Sequence, residues 1–61
     1  MSMADRISKK AEENLDAALT MLDKYAVSVS IHSNKSVYKL QDCSFLSVVP
    51  IEDCLVEMFE S

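Results

Sequence analysis

The sequence predicts a small α+β domain, on three observations. Apolar residues recur at helical spacing through the first 25 positions, alternate with polar ones from position 27, and regain a helix-like spacing after Pro50. The expected architecture is a long N-terminal helix, an antiparallel β-hairpin or three-stranded meander, and a short C-terminal helix, in the order α-β-β-(β)-α. No linker, repeat or low-complexity tract divides residues 1–61, so a single domain is expected.

Met3, Ile7, Ala11, Leu15, Ala18, Leu19, Leu22 and Ala26 fall in one stripe, which predicts an amphipathic helix over residues 3–25. Ser2 is the expected N-cap and Asp5 meets the positive helix end, while Lys24 suits the other end. Pairs four apart, Asp5 with Lys9 and Lys9 with Glu13, support the outer face by a few tenths of a kcal/mol each, roughly. A continuous helix of this span would be roughly 35 Å long, about as long as so small a domain is wide. Asn14 would interrupt any heptad seam, which argues against a long coiled coil.

Val27, Val29 and Ile31 alternate with Ser28, Ser30 and His32, the pattern of a half-buried strand. The cluster 33–36 then supplies a turn, with Asn34 suited to a left-handed conformation, and residues 37–41 return as a second strand with Tyr38 and Leu40 inward. After a turn or bulge at Asp42, residues 43–49 read as a third strand, and Phe45 as core. Pro50 suits the first turn of a helix whose apolar face would be Ile51, Cys54, Leu55, Met58 and Phe59. With no glycine in the chain, any positive φ is expected to fall on Asn, Asp or Ser.

A chain of 61 residues buries only about 60% of its unfolded surface, so it needs support from cross-links, metal, association or very good packing. Two cysteines, Cys43 and Cys54, with no basic and apolar leader before them, predict reduced, buried thiols in a cytoplasmic protein. His32 is the sole histidine, so a structural zinc site is not expected. No apolar run approaches the roughly 20 residues needed to span a bilayer, and no membrane association is expected. Without glycine there is no phosphate-binding loop, and no cofactor is expected.

Six basic against ten acidic side chains give a net charge of −4, which disfavours direct contact with nucleic acid. The charge is uneven. All six bases and five acids lie in residues 1–39, while residues 40–61 carry Asp42, Glu52, Asp53, Glu57 and Glu60 and no base. These five acids are the candidate partner-binding residues, because an acidic surface can occupy a basic, nucleic-acid-binding site on another protein. The plainer account is a solvated surface that keeps the chain soluble.

Ser28 or Ser30, His32 and Asp42 nominally supply a hydrolytic triad. Serines alternate along any solvated strand, and so short a chain has little room for a small-molecule substrate, so no enzymatic activity is expected. Tyr25, Val27, Val29 and Ile31 are candidates for self-association into a homodimer, since nothing obvious protects the strand edges. The expected function is therefore a non-catalytic module that binds a larger protein. Size and charge suit an inhibitor, or a viral or plasmid accessory protein acting as antagonist, by analogy alone. The alternative is a structural or assembly subunit of a larger complex, with its acids serving solubility only.

Overall fold

Two helices come first and four strands follow. The computed structural model describes residues 1–61 as α1 (Met3–Glu13), α2 (Leu15–Tyr25), β1 (Ala26–His32), β2 (Lys35–Leu40), β3 (Phe45–Glu52) and β4 (Leu55–Glu60). The strands make one antiparallel sheet in chain order, β1-β2-β3-β4. The α+β class therefore holds, but two elements differ from expectation: the first helix is broken, and the C-terminal helix is a strand.

The break falls at Asn14, whose backbone is extended at φ −155° and ψ 101°. Its side-chain oxygen accepts a hydrogen bond from the Ala17 N–H at 3.1 Å, capping α2, while its own N–H bonds the Lys10 carbonyl and closes α1. A good N-cap residue contributes about 1 kcal/mol, and the break replaces one overlong rod by two helices of roughly 16 Å each. The stripe survives the break. Ile7, Ala18 and Leu22 are buried, as is Ala4, and Met3, Ala11, Leu15 and Ala26 pack around them; Leu19 stays largely exposed. Of the two expected i,i+4 pairs only Lys9 with Asp5 forms, at 3.6 Å.

The N-terminus of α1 is docked onto the sheet. Ser2 Oγ accepts from the Asp5 N–H, Asp42 Oδ2 accepts from the Met3 N–H at 2.8 Å, and Ser44 Oγ accepts from the Ala4 N–H at 3.2 Å. Three N–H groups that a helix leaves unpaired are thus satisfied, two of them by the β2–β3 turn.

The strand boundaries follow from local chemistry. In the β1–β2 turn Ser33 takes the positive φ, 44°, in place of Asn34. The other two positive values fall on Cys43 (68°) and Cys54 (66°), not on Asn, Asp or Ser. Both thiols are free and exposed, contrary to the expected burial, because each sits in a turn rather than on an inward strand position. The eight residues of β3 separate them, roughly 26 Å of strand, so they cannot pair within one chain.

Pro50 does not start a helix; it lies within β3 opposite Val56. The β2–β3 ladder ends at Ser36 and Val48, so a missing N–H at position 50 costs no bond to β2. A bulge between Pro50 and Glu52 and a turn at Asp53 and Cys54 then return the chain as β4.

Helices and sheet meet over the β3–β4 half. Leu40, Leu46, Val48 and Met58 are buried beneath the helices with Ala4, Ile7, Ala18 and Leu22, and α1 packs on β3 and β4. Only nine residues are buried. The core is thin, and it is off-centre.

Candidate functional site: two unlike edges and an open face

Because the core lies over β3 and β4, β1 is left as an edge strand with little above it. Val27, Val29 and Ile31 are exposed, Ile31 to 72%, so the strand expected to be half-buried is not. Strand pairing puts Val29 with Tyr38 and Leu46, on the helix side of the sheet. An open groove of about 390 Å³ separates β1 from α2, lined by Leu19, Leu22, Ala26, Val27, Val29 and Tyr38 among others. Tyr25 does not line this groove; it is half-buried beside Met3, Arg6, Ile7 and Met21, with the Lys24 ammonium 5.4 Å from its ring centroid. Three of the four candidate self-association residues are thus displayed together.

No residue of β1 is an acid, a lysine or an arginine, and a bulge between Ala26 and Ser28 is its sole irregularity. Along such an edge alternate residues turn their N–H and C=O groups to solvent. This is a surface able to accept another strand.

The opposite edge is its converse. β4 carries Glu57 and Glu60, the end of β3 carries Glu52 and the turn between them Asp53, all exposed. These four expected partner-binding acids gather on one hairpin but not on one face. Glu57 pairs with Val49 on the side away from the helices, whereas Glu60 pairs with Leu46 on the helix side and accepts a hydrogen bond from Ser2 Oγ.

Asp42 lies apart from them, in the turn that holds α1. Hydrogen bonds from the Ser44 hydroxyl, the Met3 N–H and the Ser44 N–H, in that order of effect, hold its carboxyl below the ordinary carboxylate range. Its oxygens are engaged in helix docking, a role that the sequence reveals only through the spacing of Asp42 and Ser44, an Asx-turn signature.

The nominal triad is not assembled. His32 closes the β1–β2 hairpin opposite Lys35, while Asp42 lies beyond the other end of β2, about 20 Å away along the strand. No group of three or more His, Cys, Asp or Glu residues is arranged to hold a metal ion. No helix is long and apolar enough to cross a membrane.

The face of the sheet away from the helices is the feature the sequence reading missed. Phe45, expected in the core, is 45% exposed there, and Phe59 is 47% exposed. Between them lies Ser47, only 1% exposed, whose Oγ has no hydrogen-bond partner. A three-residue alternation of Phe45, Ser47 and Val49 was the available signal, masked by the apolar residues between them.

The fold and these surfaces define a two-layer α+β domain with one bare sheet face and one uncharged edge. Comparison with protein families, with curated proteins and with solved structures gave no match.

Proposed function

We propose that this chain is a non-catalytic protein-binding module, an inhibitor or antagonist that occupies the surface of a larger protein by presenting β1 to it. The observation that carries this reading is the coincidence at β1 of an uncharged, unpaired edge and an open apolar groove. A strand of the partner laid beside β1 takes up the outward N–H and C=O groups, and an apolar side chain from it fills the groove. The acids of β4 guard the other edge against the same pairing and steer the module toward basic surfaces. The cytoplasm, where free thiols persist, is the location this reading assigns.

The test is capture of partners by wild type and by a Val29→Lys, Ile31→Lys variant at two salt concentrations, with identification by mass spectrometry. Both positions are exposed, so the variant keeps its fold. One partner held by wild type and lost by the variant supports docking at β1; equal retention refutes it.

A second reading rests on the absence of any base from residues 40–61: the β3–β4 hairpin occupies a basic, nucleic-acid-binding site. There Glu57→Lys with Glu60→Lys releases the partner, high salt does the same, and the β1 variant has no effect. A salt-resistant set of subunits from one complex would instead mark an assembly component.

A further inference from the structure

The bare face of the sheet is graded from polar to apolar. At β1 it offers Ser28, Ser30 and His32, residues at home in water; at β3 and β4 it offers Phe45, Val49, Leu55 and Phe59. An antiparallel sheet can leave one face to solvent when that face alternates to polar residues. Here the alternation fails on half the face, and two half-exposed phenylalanines flank the unpartnered Ser47 hydroxyl.

The charges bordering this apolar stripe are arranged in order. On one side β2 contributes Lys35 and Lys39, and on the other β4 contributes Glu57. Extending the β2–β3 register one residue past its last pair, Ser36 with Val48, puts Lys35 level with Val49, and Val49 pairs with Glu57. Lys35, Val49 and Glu57 therefore form a row across three strands, positive to apolar to negative.

We infer that a second copy of this chain packs on this face, sheet against sheet, about a two-fold axis running along β3. A half-turn about that axis lays β2 of one copy over β4 of the other, so that each Lys35 faces the partner copy's Glu57. Val37, level with Phe59 through Ser47, exchanges with it in the same way. The β3 stripe meets itself, as a two-fold contact requires.

The area is that of a small interface. The three overlapping strands, β2 to β4, about 4.8 Å apart and six to eight residues long, make a face of roughly 320 Å² in projection. Side-chain relief brings it toward the ~600 Å² per partner at the low end of specific interfaces. That is about a seventh of the 4129 Å² surface of this chain. β1, one strand further out than β2, projects past the contact, and its edge stays open. This inference goes beyond the docking proposed at β1 and uses a different surface.

The experiment is sedimentation of the purified chain alone, from roughly micromolar to submillimolar concentration. Dimers are expected. Phe59→Asp should give monomer, with circular dichroism confirming the fold. Lys35→Glu and Glu57→Lys, each exposed and each altering two symmetry-related pairs, should separately raise the dimer Kd about tenfold. The double variant with the charges exchanged should return the Kd to within about twofold of wild type. Monomer throughout the range overturns the inference. So does a dimer indifferent to both reversals, or one that Val29→Lys dissolves. Because no other protein is present, these results are independent of whether a partner docks at β1.

Discussion

β1 and β4 are the two edges of the same sheet, and they are built oppositely. β4 has Met58 buried and Val56 partly buried under α1, while Glu57 and Glu60 guard its free side. β1 buries nothing beyond a half-buried Ala26 and carries no guarding charge. The difference separates two tasks. The half of the sheet beneath α1 holds the fold together, and the half that extends past the helices is free to bind, because removing its contacts costs the core nothing.

Substitutions sharpen that contrast, beginning with the covered half. Leu46→Ala empties a fully buried site and should cost about 2–5 kcal/mol. A chain this size has only about 3–9 kcal/mol of stability in all, so thermal melting should show it largely unfolded at 37 °C. A cooperative transition near the wild-type midpoint would show that the core is not where the burial places it. Asn14→Ala should cost about 1 kcal/mol by loss of the α2 cap. Denaturation midpoints measure it, and no loss would mean that the helices can fuse without penalty.

Asp42→Asn should destabilise with a characteristic pH dependence. The folded carboxyl is held below its ordinary value, so the unfolded chain takes up the proton first. The stabilisation is complete above the unfolded pKa of about 4 and fades as pH falls through the lower folded value. Urea midpoints of wild type and variant should therefore differ steadily above about pH 5 and converge below about pH 4. A difference that persists at low pH would remove the charge from the explanation. In the opposite direction, Cys54→Gly should gain roughly 0.5 kcal/mol, because relief of the left-handed backbone outweighs the added unfolded-state entropy. The smallest change is expected at β1, where Ile31→Ser should move the stability by at most about 0.5 kcal/mol while weakening capture of a partner.

Much of this was legible in the amino-acid order. Ser2 as cap, the apolar stripe of the first 26 residues and the inward Tyr38 and Leu40 needed no tertiary information, since each depends on neighbours within a turn or a strand. The site was less legible. Alternation identified Val27, Val29 and Ile31 as one face, but whether that face is covered depends on where α1 and α2 come to rest. Four acids were correctly expected outside, yet on a helix rather than along a strand edge.

The sequence by itself determined the helical and strand character of the first 40 residues, though not the helix break, and the segregation of charge, because helical and strand periods and capping chemistry act between residues close in the chain. Tertiary structure decided the break at Asn14, since only a sheet of finite width makes two short helices better than one long one. It decided residues 51–60 as well. Ile51, Cys54, Leu55, Met58 and Phe59 fit a helical face as well as Val56 and Met58 fit a strand. The strand prevails because β3 needs a neighbour for its free N–H and C=O groups, and because Met58 from β4 completes the core under α1.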